Sequence, residues 1–157
     1  MRAWIKEHVT KRTILIGLGA LIVLFGLIQL VPYRVDNPKV KQEPAWDSAQ
    51  TRKLAVVACY DCHSNETKTY TWEKIAPVSW WITNHVKEGR DALNFSECTK
   101  GRGENEASET VREGSMPPGY YTWLGLHPSA NLTATERQQL IAGLDATLGG
   151  WVCGKGD

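Results

Sequence analysis

The chain has 157 residues and a net charge of +1, so it fits one modest domain with appendages and shows no sign of a nucleic-acid-binding surface. Its basic residues are concentrated at the N-terminus, where Arg2, Lys6, Lys11 and Arg12 stand against the single acid Glu7. The seven tryptophans are many for this length, and they suit an apolar pocket, a membrane interface or an ordinary core.

An uncharged apolar run over residues 13–31 follows this basic segment. At ~1.5 Å per helical residue the run reaches roughly 28 Å, enough to cross the hydrocarbon core of a bilayer. A signal peptide would have a shorter apolar region and a small-residue cleavage site, whereas this run ends in Gln-Leu-Val-Pro-Tyr-Arg. We therefore predict an uncleaved anchor over residues 13–32. The positive-inside rule places residues 1–12 in the cytoplasm, although Arg34, Lys39 and Lys41 reduce the asymmetry.

Residues 33–46 are polar and carry prolines at 38 and 44, so we predict an extended tether that lifts the following domain off the bilayer. Residues 47–157 form that domain, and their pattern predicts an all-α fold. A first helix is expected from Ser48 to Ala58, with Asp47 as its N-cap. A second is expected from Pro77 to about Leu93.

The apolar stripe of this second helix is expected at Val78, Ile82, Val86 and Leu93, joined by Trp81 and His85. Residues 94–108 are polar and contain glycines, which indicates a loop, and residues 110–113 fit a short helical turn. A last helix is expected to open with the capping box Thr133-Ala-Thr-Glu136 and to continue to about Leu148.

The most informative motif is Cys59-Tyr-Asp-Cys62-His63, because C-x-x-C-H is the attachment signal for a c-type haem. The two thiols add to the haem vinyl groups, and the adjacent His63 ligates the iron from the proximal side. A zinc site would need a second pair of ligands, and the only other cysteines are Cys98 and Cys153. A thiol redox motif would follow a strand, and no strand pattern precedes Cys59. We predict one covalent haem c, since the motif occurs once.

A haem that transfers electrons usually has both axial positions filled by Met or His. Met116 lies in a proline-rich loop before the last helix, and it is the expected distal ligand. His85 is the alternative, and it would give a bis-histidine haem of lower potential. His127 and His8 are weaker candidates. Cys98 and Cys153 form a candidate disulfide, because the domain is expected to face an oxidising compartment.

In its order of helix, haem motif, helix, methionine loop and helix, the domain resembles a class I cytochrome c. Residues 31–148 more narrowly resemble the bacterial haem-binding-domain family with a single membrane anchor. The resemblance rests on these stretches: Val31-Pro-Tyr, Asp36-Asn-Pro38, Ala58-Cys-Tyr-Asp-Cys-His-Ser-Asn-Glu-Thr67, Ile75-Ala-Pro-Val-Ser-Trp80, His85-Val, Glu88-Gly-Arg90, Leu93-Asn-Phe-Ser96, Met116-Pro-Pro118 and Leu126-His-Pro128. It implies haem bound by Cys59 and Cys62, with His63 and Met116 as axial ligands. The long loop at 97–108 and the cysteines at 98 and 153 depart from the family pattern.

These features predict a membrane-anchored cytochrome that transfers single electrons outside the cytoplasmic membrane. We expect redox proteins as partners. The chain would be either a subunit of a respiratory or photosynthetic complex or a tethered shuttle that exchanges electrons with such a complex. We expect an electron carrier rather than an enzyme, because the sequence around the motif supplies no acid, base or substrate pocket. The alternatives are a haem-based redox or gas sensor, and a peroxidase-like enzyme with an open distal site.

Overall fold

The structure, a computed structural model, describes residues 10–97 and 103–149, and within these residues it is all helical, as predicted. The described residues contain seven α-helices and three short 3-10 turns, the latter at Trp72–Lys74, Trp123–Gly125 and Pro128–Ala130. The helices are α1 (Lys11–Ile28), α2 (Ala49–Ala58), α3 (Tyr60–His63), α4 (Val78–Ala92), α5 (Gly103–Glu113), α6 (Gly119–Thr122) and α7 (Ala134–Leu148).

Helix α1 is the apolar run. It begins after the N-cap Thr10, whose side chain accepts a hydrogen bond from the Thr13 backbone N–H, and all but its last residue is exposed. Among the described residues it is the single helix long and apolar enough to cross a membrane. Its apolar side chains contact little of the domain, as expected for a helix whose natural surroundings are lipid.

The core of the domain lies between α2, α5 and α7 and extends to the segment that follows α4. Gly143 of α7 lets α2 approach so closely that a Cβ at this position would lie 2.0 Å from the Thr51 hydroxyl oxygen. Aromatic rings close the core beside α3, where Tyr60 stacks on Phe95 with ring centroids 5.6 Å apart. The buried apolar residues are Leu54, Ala55, Ala58, Tyr60, Leu93, Phe95, Val111, Leu140, Ile141, Leu144 and Leu148.

Three sequence expectations need correction. The predicted loop at 94–108 ends early, because α5 begins at Gly103 and continues to Glu113. The polar residues and glycines of this segment favour a loop, but Ala107 and Val111 are four residues apart and therefore meet the core on one face of a helix. The N-cap of α2 is Ser48 and not Asp47, because the Ser48 hydroxyl accepts the Thr51 N–H at 3.1 Å.

The third correction concerns the face that α4 buries. Val86 and Leu93 of the predicted stripe are buried, but Val78 and Trp81 are 40% and 49% exposed. Ser79 and Thr83, which the prediction left out, are buried. Small hydroxyl side chains are tolerated inside because they bond within the helix; Thr83, for example, donates to the Ser79 carbonyl at 2.6 Å. The capping box of α7, in contrast, is confirmed with both of its reciprocal hydrogen bonds.

The segment at 33–46, predicted as an extended tether, contains no helix or strand. It is fastened along the domain: Tyr33 donates to Asn84 at 2.5 Å, and the Lys41 and Gln42 amides donate to the Ser96 carbonyl at 2.8 and 3.1 Å. Its end is anchored where Trp46 packs on Phe95, with centroids 5.3 Å apart. The tether is therefore an edge of the domain.

Candidate functional site

The C-x-x-C-H motif occupies the sharp corner between α2 and α3. Helix α2 ends at Ala58, Cys59 leaves helical geometry at φ −127° and ψ −35°, and the chain then makes the single turn of α3. The Cys62 and His63 amides both donate to the Cys59 carbonyl, at 3.1 and 2.9 Å. This turn brings the two cysteine side chains and the imidazole to one side of the corner, because residues three and four apart are neighbours on a helical turn.

His63 is held in one orientation by the backbone after α4. Its Nδ1 lies 3.0 Å from the Leu93 carbonyl oxygen, which can only accept, so Nδ1 carries the hydrogen and Nε2 keeps a free lone pair. Burial lowers the pKa of His63, and this is partly offset by the Leu93 and Gly89 carbonyls. A neutral imidazole oriented by a backbone carbonyl is the form that ligates a metal.

The two motif cysteines are half-buried and unactivated. Burial, reinforced by Cys62, raises the pKa of Cys59 to about 12. Burial, reinforced by Asp61 and Glu73 and opposed by Arg90, raises the pKa of Cys62 to about 11. Both are therefore protonated near neutral pH, unlike the low-pKa cysteines of thiol redox enzymes. Among the described residues, no group of three His, Cys, Asp or Glu side chains is arranged as a metal site, so a zinc role finds no support there.

Two adjoining cavities, of about 230 and 200 Å³, form a crevice over this corner. Both are bordered by Ala58, Cys59, His63, Ala92 and Met116. The first continues into the core, where its walls include these apolar residues: Leu93, Phe95, Ala107, Val111 and Leu144. The second opens towards α4 and α6, where its walls include these residues: Cys62, His85, Glu88, Gly89, Pro117, Pro118, Tyr120 and Tyr121. We call the two together the crevice.

The donor set of the crevice fits a haem. It combines mostly apolar walls with two thiols, an imidazole nitrogen that has a free lone pair, and a thioether, and these are the groups that hold a covalent haem. The sequence predicted Cys59, Cys62 and His63 from their spacing and Met116 from its place in a proline-rich loop. The fold brings these four residues to the same space. The sequence does not indicate the apolar wall from α5, because the polar residues and glycines of 94–108 predict a loop.

The loop that carries Met116 is fastened on both sides. Before it, Gly114 ends α5 at φ +78°, and the Ser115 and Met116 amides donate to the Thr110 carbonyl at 3.0 and 3.1 Å. After it, the Tyr121 hydroxyl donates to Asp61 inside the haem motif at 2.5 Å. Burial and this hydrogen bond raise the pKa of Tyr121. The link between Tyr121 and Asp61 therefore ties the methionine loop directly to the motif, a contact that no sequence pattern indicated.

His85 also borders the crevice, but only the half that opens towards α4 and α6. Its Nδ1 lies 2.9 Å from the Trp81 carbonyl, and its ring packs against those of Trp81 and Tyr120, which also contact each other. His127 lies outside the crevice: it is buried, its Nδ1 bonds to the Tyr121 carbonyl at 2.8 Å, and its Nε2 lies 3.5 Å from Glu73. His8 and the candidate disulfide between Cys98 and Cys153 lie outside the described residues.

A family model, described as a haem-binding domain, matches residues 23–146. The chain belongs to the haem-binding domain family. The match covers well over half of the chain, and it includes the end of α1, the tether, the C-x-x-C-H corner and the Met116 loop. Comparison with curated proteins and with solved structures gave no match. The haem-binding domain thus makes this a haem protein, and the crevice is the place where its residues suit that cofactor.

Proposed function

We propose that this haem-binding domain is a membrane-anchored monohaem c-type cytochrome that carries single electrons on the outer side of the cytoplasmic membrane. The observation that supports the proposal most is the convergence of Cys59, Cys62, His63 and Met116 on one crevice. When bound, haem supplies an iron that gains or loses one electron.

Each of the crevice residues would have a different role in binding the haem. The Cys59 and Cys62 thiols would each add across a vinyl group, the sulfur bonding to one carbon and the hydrogen going to the other, a step that needs no oxidant. His63 would supply its Nε2 lone pair as the proximal ligand, and the Leu93 carbonyl keeps the ring in position. The apolar walls would exclude water, which helps to set the potential.

Met116 is the better candidate for the distal ligand. It borders both halves of the crevice and packs against the core. His85 borders one half, and its ring packs against two aromatic neighbours while its Nδ1 bonds to the Trp81 carbonyl. A Met and His pair gives a higher potential than two histidines. With both axial positions filled by protein, the iron would be closed to substrates. An electron carrier therefore suits the crevice better than a peroxidase or a gas sensor.

Helix α1 would anchor this carrier in the cytoplasmic membrane, with the two basic residues at its start, Lys11 and Arg12, on the cytoplasmic side. The haem domain would then face the compartment in which c-type haem is attached. Confinement to the membrane raises the effective concentration near a redox partner, such as a respiratory or photosynthetic complex.

Covalent attachment can be tested on the full chain produced with a c-type cytochrome maturation system. We expect the wild-type chain, denatured and extracted with acidic acetone, to keep one haem by mass spectrometry and haem staining. Cys59→Ala and Cys62→Ala should each keep haem through one thioether only, and the double variant should lose it completely. A wild-type chain that releases its haem on extraction would refute covalent attachment.

The distal ligand can be tested with Met116→Ala and the control variant His85→Ala. We expect Met116→Ala alone to abolish the methionine–iron absorption band of the oxidised protein. If His85→Ala changes the low-spin spectrum and Met116→Ala leaves it unchanged, the ligand pair is His63 and His85, and the assignment of Met116 is wrong.

A further inference from the structure

The end of the anchor helix is joined to the haem domain by a pair of hydrogen bonds. Gln29, the residue that follows α1, donates from Nε2 to the Ala76 carbonyl at 3.0 Å and accepts the Ala76 amide through Oε1 at 2.9 Å. Ala76 is buried and lies two residues before the start of α4. The beginning of α4 is therefore fixed to the point where the anchor ends.

The length of α1 sets the depth of this junction in a bilayer. Its 18 residues span about 27 Å at ~1.5 Å per residue, close to the hydrocarbon thickness of about 30 Å. The first two of them, Lys11 and Arg12, would extend their charged ends into the opposite headgroup layer. Gln29 then lies at the boundary of the hydrocarbon core. Because each headgroup layer adds about 5–7 Å, the junction at Ala76 and the first turn of α4 fall within that layer.

The surface around this junction is apolar and aromatic. The exposed side chains of Ile75 and Val78 flank Ala76, at 44% and 40% exposure, and Trp81 lies one helical turn further. A groove of about 250 Å³ leads from Trp81 to the edge of the crevice, with which it shares Cys62, His85 and Tyr121, and Asp61, Lys68 and Glu73 also border it. Its apolar and aromatic walls include these residues: Trp72, Trp81, Tyr120, Trp123 and Leu126. We call the exposed residues Trp72, Ile75, Val78, Trp81 and Trp123 the aromatic face.

This composition matches the membrane interface. Tryptophan and tyrosine are enriched at the headgroup level, where the apolar ring and the polar N–H or O–H are both satisfied. The side chains of Trp81 and Trp123 are 49% and 65% exposed, which is costly in water for residues of this size. Lys74 lies beside the face and is exposed, as suits contact with anionic headgroups.

We propose that the aromatic face sits in the headgroup layer, so that the haem domain is seated on the bilayer. The proposal rests on α1 being a membrane anchor, as proposed above. Three observations carry it together: the junction between Gln29 and Ala76, the length of α1, and the continuity of the aromatic face with that junction. Seating fixes the height and orientation of the crevice above the membrane, because the tether is also bonded along α4 through Tyr33 and Asn84.

The test uses the full chain in nanodiscs of phosphatidylethanolamine and phosphatidylglycerol. The photo-crosslinking residue p-benzoylphenylalanine replaces Trp81, Trp123 or, as a control, Val40, which is 47% exposed but lies on the tether outside the aromatic face. After illumination, lipid adducts are counted by mass spectrometry. We expect roughly tenfold more lipid adduct at positions 81 and 123 than at position 40, the ratio given by a preference of about 1.4 kcal/mol.

Equal amounts of lipid adduct at positions 81, 123 and 40 would overturn the proposal that the aromatic face lies in the headgroup layer. Cross-links from positions 81 and 123 to a second copy of the chain, without lipid adducts, would also overturn it and would identify the face as a protein interface. Because lipid adducts form whether or not the haem is covalent, this result is independent of the extraction experiment on Cys59 and Cys62. Failure of the seating is thereby distinguished from failure of the proposed cytochrome function.

Discussion

Gly89 is the point where α4 passes closest to the haem motif, and one added methyl group there should weaken the site. A Cβ at Gly89 would lie 2.6 Å from the Cys62 carbonyl oxygen and 3.2 Å from the Cys62 carbonyl carbon and Cβ. Ordinary contacts between heavy atoms lie at about 3.5–4.0 Å, so α3 and α4 would have to separate by about 1 Å. The obstructing atoms belong to the backbone, which cannot turn aside as a flexible side chain can.

The size of the effect follows from two opposing contributions. Overpacking costs about 1–3 kcal/mol, and contact with backbone places this site in the upper half of that range. Alanine in place of glycine inside a helix returns about 1 kcal/mol through its higher helix propensity. We therefore expect Gly89→Ala to lower the free energy of unfolding by about 1–2 kcal/mol, the difference between these two effects.

The assay is guanidinium chloride unfolding of the haem-loaded full chain in detergent, followed by haem absorbance and far-ultraviolet circular dichroism. With an m-value of about 3 kcal/mol/M, the midpoint of Gly89→Ala should fall by about 0.3–0.7 M. Gly119→Ala is the matched control, because a Cβ there meets nothing within 4 Å. Its free energy of unfolding should differ from that of the wild type by no more than a surface substitution causes, about 0.5 kcal/mol either way. A midpoint for Gly89→Ala at or above that of the wild type would show that α3 and α4 do not approach as closely as described.

Three further changes test the surroundings of the crevice. Tyr121→Phe keeps the ring but removes the hydrogen bond to Asp61, so it should cost about 1–2 kcal/mol of unfolding free energy. The loosened Met116 loop should also let the reduced variant bind carbon monoxide, and a variant spectrum that carbon monoxide leaves unchanged would mean that this bond does not hold the loop. Arg90 donates hydrogen bonds to three acceptors, so Arg90→Ala should lower the free energy of unfolding, measured in denaturant, by about 2–3 kcal/mol. Arg90→Lys should restore only part of this stability, and complete restoration would show that charge alone matters. Burial raises the pKa of Glu73 from its ordinary value of 4.5, with the Tyr70 amide and His127 opposing. The folded state therefore binds this proton more tightly than the unfolded chain, and the contribution of Glu73 is full below pH 4.5 and is lost as pH rises through the folded pKa. In denaturant titrations, the free energy of unfolding of Glu73→Gln should rise relative to that of the wild type as the pH increases from 4.5 to neutrality. A difference between the two proteins that stays constant across this pH range would contradict the prediction.

The parts of the fold that the sequence predicted are those with a local chemical signature. The C-x-x-C-H spacing, the apolar run of α1 and the capping box at Thr133 each act over a few residues, so each can be recognised without knowledge of the fold. Helix α5 has no such signature, because its polar residues hide the pair Ala107 and Val111 that meets the core. That spacing of four was the available sign of a helix.

The contacts that position the site join distant parts of the chain, and no local pattern indicates them. Leu93 orients His63 through a backbone carbonyl, and any residue type could supply that group. The bond between Tyr121 and Asp61 joins two residues that are common on surfaces. Gln29 is the one contact residue that stands out in the sequence, because it is the strongly polar residue of the apolar run. In the structure its side chain joins the end of α1 to Ala76 of the domain.

The central claim is that His63 and Met116 close both axial positions of one covalent haem. The most direct measurement is the absorption spectrum of the reduced wild-type full chain before and after carbon monoxide is added. We predict a low-spin, six-coordinate spectrum that carbon monoxide leaves unchanged, because Met116 occupies the distal position. A high-spin spectrum, or ready binding of carbon monoxide, would show an open distal site and contradict the account of a closed electron carrier.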